Sequence, residues 1–251
     1  MTVQITIEDD IGQVTMSNPP VNAITVADTW AIRDAFRELG ERPGIRAIIL
    51  AAAGKGFNAG IDIKEMQSVA GWEHLVGSGD ACYETFNTIY ETPLPVIAAV
   101  NDFCMGLGIG LVASCDIIVA TKGAKFALPE VDNGALGCAS HLAKLVSPMK
   151  LREMSLTCRP ALAEELHAWG SIAYLTERDD LLPKAWEIAR GIKRKRPAVV
   201  AMAKSALNHL DVFEMHKNYK LEQGYTYHLN VLGDGNAARD EFVAGTRVMT
   251  R

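Results

Sequence analysis

The chain has 251 residues, 49% of them hydrophobic and 22% charged, with a formal net charge of −5. That size and apolar content suit a globular protein with an ample core, which the pattern of strands and helices along the chain makes α/β, and the acidic balance argues against a nucleic-acid binder or a protein held on an anionic membrane. The cysteines, Cys82, Cys104, Cys115, Cys138 and Cys158, are odd in number and form no Cys-x-x-Cys, so a disulfide framework or a zinc site is not expected and reduced thiols in a cytoplasm fit better.

The first residues, Met1-Thr2-Val3-Gln4-Ile5, carry neither the basic stretch nor the apolar run of a signal peptide. Val3–Glu8 alternates apolar and polar, which predicts a half-buried strand. Gly12–Met16 answers it across a turn at Asp9-Asp10-Ile11-Gly12. Asn18-Pro19-Pro20 ends the hairpin, because proline cannot donate to a ladder. Val26–Leu39 has helical spacing, with Val26, Trp30, Phe36 and Leu39 on a common face and Gly40 as a stop. Ile45–Ala51 is a continuous apolar run, the mark of a strand covered on both sides, and Pro95–Val100 is another; neither is long enough to span a bilayer.

Between and after these runs the pattern predicts a loop at Gly54–Gly60 and helices at Ile61–Val69 and Gly79–Glu91. It continues with a small-residue helix at Leu107–Ser114, strands at Asp116–Ala120 and Lys125–Leu128, and a helix at Gly137–Val146. From Leu151 onward the pattern is almost wholly helical: Ala161–Gly170, Leu181–Lys195, Pro197–Leu210, Val212–Leu232 and, after a break at Asp234-Gly235, Asn236–Gly245. Phe213, Met215, Tyr219, Leu221, Tyr225, Tyr227 and Leu229 give this region a long apolar and aromatic face, which points to an oligomer interface.

Two segments carry the chemistry. Phe57-Asn58-Ala59-Gly60-Ile61-Asp62 and Met105-Gly106-Leu107-Gly108-Ile109-Gly110 can each present a bare backbone N–H to a ligand. Two such groups aimed at one carbonyl oxygen make an oxyanion hole, the device of enzymes that stabilise an enolate or a tetrahedral anion on an acyl group.

These segments, together with Pro19–Ile24, Pro95–Asn101, Cys115–Ala120 and Phe126-Ala127-Leu128-Pro129-Glu130, resemble the crotonase (enoyl-CoA hydratase/isomerase) family over nearly the whole chain. The resemblance implies a crotonase-like spiral of ββα units over residues 1–195, a helical C-terminal trimerisation region over 196–251, and a homotrimer or dimer of trimers. It also implies an acyl-CoA substrate, with coenzyme A as part of the substrate and no separate cofactor or metal. Carried over by position, the oxyanion amides belong to Ile61 and Leu107. Asn22, Ala23, Ile24, Ala59, Gly60, Asp62, Ile63, Lys64, Gly106 and Gly110 border the thioester, with Lys64 near the CoA phosphates. Phe242 matches a last-helix motif whose usual lysine is here Gly245, with Arg247 as a substitute.

Hydratases of this family hold water between two glutamates. This chain keeps one, Glu130, and has Gly110 at the other position, a departure that suits an isomerase or a hydrolase with a single base. An apolar wall at Phe126–Pro129 would raise the Glu130 pKa by desolvation. Asp62 has two readings, a second acid or a helix cap. Gly134-Ala135-Leu136-Gly137 followed by His141, with Gly56–Gly60 and Glu222–Tyr227, resembles the bacterial crotonase-family hydrolases that open a ring of a bicyclic diketone CoA thioester during steroid breakdown. There Cys138, His141 and Tyr83 are candidates for the acyl pocket.

Hydrolytic C–C ring opening is therefore the leading expectation. Enoyl-CoA hydration or isomerisation comes next, and a non-catalytic acyl-CoA or RNA-binding relative remains a different class. The basic run Arg190–Arg196 is short and lacks interleaved aromatics, so it reads as a solvated helix end. No Walker-type phosphate loop or calcium loop occurs, and the Met105–Gly110 run lacks the acidic residue of a dinucleotide site.

Overall fold

A computed structural model describes residues 2–68, 71–211 and 214–247. Two strands, β1 (Thr2–Glu8) and β2 (Ile11–Ser17), form an antiparallel hairpin. Its turn is only Asp9-Asp10, both at positive φ, so Ile11 and Gly12 already belong to the second strand instead of the predicted turn. Helix α1 (Val26–Glu41) starts at a capping box between Thr25 and Asp28 and runs through Gly40. It buries Ile32, Ala35, Phe36 and Leu39; Trp30 lies on its flank under the Arg33 guanidinium instead of on the buried face.

The chain continues through β3 (Ala47–Ala52), α2 (Ile63–Met66), α3 (Glu73–Glu91), β4 (Val96–Val100), β5 (Phe103–Met105), α4 (Leu107–Ala113), β6 (Ile117–Thr121) and β7 (Lys125–Ala127). A 3₁₀ turn at Val131–Asn133 leads to α5 (Ala139–Leu145), α6 (Pro148–Thr157), β8 (Ala161–Leu162), α7 (Ala163–Ala168) and β9 (Tyr174–Thr176). Four helices close the chain: α8 (Leu181–Lys193), α9 (Pro197–Leu210), α10 (Met215–Leu232) and α11 (Asp234–Ala244).

Strands β1-β2-β3-β4-β6-β9 make a six-stranded sheet, parallel except for the first hairpin, and β5-β7-β8 make a three-stranded one. From β4 to β7 the chain alternates between the two sheets, then β8 joins the small sheet beside β7 and β9 returns to the large one, as in the expected spiral. The large sheet is covered on both faces, as its unbroken apolar strands require. Ile48, Leu50, Val96, Ala98 and Val100 face α1, α3 and α4. Their alternates Ala47, Ile49, Ala51, Ile97 and Ala99 face Leu181, Ala185 and Ala189 of α8. No helix among the described residues is long and apolar enough to cross a membrane.

Several predicted boundaries move. The helix predicted at Ile61–Val69 shrinks to α2, because Ile61 is held in a bridge to Ile24; its end at Val69 lies outside the described residues. Helix α3 begins at Glu73, well before Gly79. The predicted start of α10 at Val212, and Phe213 of its apolar face, also lie outside the described residues. That face divides: Met215 and Tyr219 are buried, whereas Leu221 and Tyr225 are exposed. The last break falls at Gly233, at φ 91°, and Asp234 already begins α11. The basic end of α8 is spent locally, since Arg190 and Lys193 pair with Glu8, Asp9 and Asp10 of the first hairpin.

One buried cation pins α9 to the core. Lys204 is 5% exposed, and its Nζ donates to the Leu94 carbonyl at 3.0 Å, the Ile89 carbonyl at 3.5 Å and Asp116 Oδ2 at 2.8 Å. Asp116 Oδ2 also accepts from the Val96 amide at the head of β4. Asp116 is itself exposed, so removing Lys204 leaves that carboxylate to solvent and the Val96 amide but takes a charged donor from the Leu94 and Ile89 carbonyls. Lys204→Met is expected to lower the unfolding free energy by about 1–2 kcal/mol, measured by denaturant titration; no loss, or a gain, would show that the desolvation of the buried ammonium cancels its bonds.

Candidate active site

The site begins with a loop that has no regular structure of its own and is braced by two asparagines. Asn22, buried at φ 54°, donates through Nδ2 to the carbonyls of Ala53 and Gly56, and its own carbonyl accepts from Asn58 Nδ2. Asn58 Oδ1 accepts in turn from the Gly60 amide at 2.9 Å. The Ile24 amide donates to the Gly60 carbonyl, and the Asp62 amide donates to the Ile24 carbonyl. A parallel bridge uses alternate groups, so the Ile61 amide between them has no partner among the described residues.

A second loop lies against the first. The Met105 amide donates to the Asn58 carbonyl at 2.8 Å, and the Gly106 amide donates to the Ala127 carbonyl at 3.0 Å. Gly106 sits at φ 54° and ψ −115°, a conformation that suits glycine and few others. A Cβ built on it would lie 3.5 Å from Gly60 Cα and 2.6 Å from Glu130 Oε1. The next residue, Leu107, opens α4, so its N–H has no intrahelical acceptor and none elsewhere among the described residues. The amides of Ile61 and Leu107 thus follow directly on two glycines whose backbones touch.

Glu130 completes the group. It follows β7 and Pro129, and its carboxylate is packed beside Gly106. The residue is half-buried, but its Oε2 is shut off from solvent and has no hydrogen-bond partner. Burial pushes its pKa up to about 8; its own backbone N–H opposes this and the Glu222 carboxylate adds to it. A carboxylate in this setting is a base poised near neutral pH.

A mostly apolar cavity opens over these groups. Of the residues singled out in the sequence, Ala59, Gly60, Ile61, Ile63, Gly106, Leu107, Glu130 and Cys138 line it. Cys138 is at φ 59° and buried; burial holds its thiol well above the ordinary range, as it does that of Cys82, so neither is a ready nucleophile. Glu130 is the sole carboxylate among the described residues of the lining.

Other sequence-predicted residues do different work. Asn22, Ala23 and Ile24 do not line the cavity; they brace its first loop, Ala23 by accepting from Asn18 Nδ2. Asp62 is a helix cap and not a second acid: its Oδ1 accepts from the amides of Lys64 and Glu65. Lys64 is exposed at the edge. Gly110 is buried inside α4, where a Cβ would meet the Phe86 ring at 2.2 Å, so the place of a second carboxylate is filled by an aromatic ring. His141 lies behind the cavity, edge-on to Phe86 at 4.7 Å and Tyr219 at 5.5 Å, and burial pulls its pKa down to about 3, so it is neutral packing. Tyr83 turns away toward His216 and Lys220. Phe242 is exposed, and Arg247 is bound to Asp132 and Asn133, so it is not free to replace a lysine at position 245.

Sequence reasoning missed the remaining walls. Leu75, Ser78, Gly79 and Cys82 are one face of α3; Tyr219, Gln223, Thr226 and Tyr227 are one face of α10; Arg239 comes from α11. The i, i+3, i+4, i+7 spacing of the first row and the i, i+4, i+7, i+8 spacing of the second could have revealed them as faces, though not what they face. Glu222 fastens α10 to the site by accepting from the Ala139 and Ser140 amides, the start of α5.

The family model described as enoyl-CoA hydratase/isomerase matches residues 6–239. A (7aS)-7a-methyl-1,5-dioxo-2,3,5,6,7,7a-hexahydro-1H-indene-carboxyl-CoA hydrolase of Rhodococcus jostii is 44% identical over 94% of this chain and 91% of its own. The protein of that name from Mycobacterium tuberculosis is 44% identical over 94% of this chain and 96% of its own. An enoyl-CoA hydratase/isomerase structure from Xanthobacter autotrophicus superposes with a TM-score of 0.88 at 24% identity, covering 97% of this chain and 93% of that one.

The raised pKa has a thermodynamic signature. Glu130 binds its proton more tightly folded than unfolded, so its contribution to stability is intact below pH about 4.5 and declines as pH rises toward about 8. Glu130→Gln is therefore expected to gain stability relative to the parent across that window, with the gap constant above it, in melting curves taken from pH 4 to 9. A gap that does not change with pH would show a solvated, ordinary carboxylate.

Proposed function

Because the chain belongs to the enoyl-CoA hydratase/isomerase family, we propose that it hydrolyses a carbon–carbon bond in a cyclic β-diketone presented as a coenzyme A thioester. The thioester oxygen accepts from the Ile61 and Leu107 amides. Ionised Glu130 takes a proton from water as the water oxygen bonds to the ring ketone carbon. The bond from that carbon to its neighbour breaks, and the electron pair moves onto the carbon conjugated with the thioester, so that the charge reaches the oxygen held by the two amides. Glu130 then returns its proton to that carbon, and the former ketone carbon, still tethered in the opened product, becomes a carboxyl group that releases the second proton of the water to solvent. Coenzyme A enters as part of the substrate, with exposed Lys64 placed for its phosphates.

The observation that carries this reading is the single carboxylate. Syn-addition of water across a double bond by a glutamate pair needs a second acid, and the Phe86 ring occupies its place beside Gly110. One carboxylate would also serve to move a double bond. The polar groups of the outer cavity, Ser78, Asn133, Gln223, Tyr227 and Arg239, favour an acyl group bearing oxygen over a plain chain. The 44% identity to the two dioxo-indene-carboxyl-CoA hydrolases points the same way. Exposed apolar side chains on α9 (Val199, Met202, Leu207, Leu210) and α10 (Leu221, Tyr225, Val231) are the proposed self-association surface of a homotrimer or dimer of trimers.

Incubation of a bicyclic diketone CoA ester in water labelled with heavy oxygen should give a ring-opened acid carrying one label, seen by mass spectrometry. Glu130→Gln should bind the ester and turn it over at least about 100-fold more slowly. Rapid turnover of crotonyl-CoA with no ring opening would overturn the hydrolase reading in favour of hydration.

A further inference from the structure

Arg239 is the one cation in the lining of the cavity among the described residues, and its surroundings do not account for its charge. It is only 6% exposed. Its Nε donates to Gln67 Oε1 at 2.9 Å, and its Nη2 donates to Asn236 Oδ1 at 2.9 Å and to Asn230 Oδ1. All three acceptors are neutral amides. Its Nη1 is shut off from bulk solvent with no partner. One carboxylate bears on it electrostatically, Asp240, which shares a second, polar pocket with it; Asp240 accepts from Gln67 Nε2 and makes no ion pair with Arg239 among the described residues.

A buried guanidinium without an anion is costly, and proteins keep one where a ligand supplies the missing charge. Burial accordingly pulls the Arg239 pKa below its ordinary value. The amide clamp fixes the plane of the fork and leaves Nη1 alone unused, which suits end-on recognition of a carbonyl or carboxylate oxygen. A second donor in the same lining is idle: Gln223 Nε2 is buried without a partner, close to Gly79, where a Cβ would lie 2.2 Å from it. Both donors stand on the C-terminal helices α10 and α11, distant in sequence from the loops that carry the Ile61 and Leu107 amides.

We propose that Arg239, seconded by Gln223, is the specificity-determining residue for the end of the acyl group remote from the thioester, receiving the ring ketone oxygen and holding it as it becomes the carboxylate of the opened product. This rests on the reading of the cavity as the seat of a CoA thioester's acyl group. It adds a distal anionic subsite to the oxyanion hole at the thioester. The enzyme then distinguishes keto- and carboxy-acyl esters from plain chains of the same length.

The test is a pair of probes with equal chains, pimeloyl-CoA with a terminal carboxylate and heptanoyl-CoA without one, titrated calorimetrically. The parent protein should bind pimeloyl-CoA about tenfold or more tighter. Arg239→Met should erase that preference while leaving heptanoyl-CoA affinity within about twofold, Arg239→Lys should keep part of it, and Glu130→Gln should keep all of it. Absence of the preference in the parent protein, which needs no variant to fold, overturns the proposal. So does an equal loss for both esters in a folded Arg239→Met, which would place Arg239 on the coenzyme or in the scaffold. A preference that holds in a protein unable to open cyclic diketones supports the subsite and faults only the assigned reaction.

Discussion

Two backbone amides left unbonded among the described residues, those of Ile61 and Leu107, are the constraint around which the cavity is arranged. Buried amides are nearly always paired, so a free one must be created by geometry that consumes its neighbours. At Ile61 a single parallel bridge does this, because it engages Gly60 and Asp62 and skips the residue between. At Leu107 the opening turn of α4 does it. Neither would matter alone. The contact between Gly60 and Gly106 brings together the segments that carry the two amides; both glycines sit at positive φ, and a Cβ at Gly106 would meet the Glu130 carboxylate. The Asn22 and Asn58 side chains make the arrangement rigid, which is what transition-state stabilisation by fixed dipoles requires.

Glu130 shares this packing. The absent side chain at Gly106 makes room for its carboxylate, so the same glycine serves the proposed oxyanion site and the proposed base. Burial then raises the carboxyl pKa to about 8, turning an ordinary acid into a group that can both take and return a proton near neutral pH. At Gly110 the opposite occurs. Phe86 fills the space, and His141 and Tyr219 back it edge-on, so the chemistry is limited to one proton-carrying group. The C-terminal helices are not an appendage to this centre. Through Glu222, Thr226 and Arg239 they fasten to the segment that follows Glu130 and to α2, and they supply the outer wall.

The centre could be read from the sequence because its requirements are local. Glycines at positive φ, a carboxylate just past a strand and continuous apolar strands each leave a mark on a few adjacent residues. The outer wall left none. Tyr219 and Tyr227 lie inward on α10 while Leu221 and Tyr225 on the same helix lie outward, and an apolar pattern cannot say which side meets the core. Arg239 belongs to no motif, and its partners Gln67 and Asn230 are far from it or unremarkable in sequence. Strands of two or three residues, β5, β8 and β9, are too short to show a period. His141 and Asp62 were attractive by type, yet burial among aromatic rings and the capping of α2 claim them.

The central claim is that the Ile61 and Leu107 amides converge on one thioester oxygen. A crystal structure of the Glu130→Gln variant with a bound CoA ester measures this directly. The account predicts that oxygen within about 3 Å of both nitrogens. An ester bound in the cavity with its carbonyl oxygen turned away from either amide would contradict it.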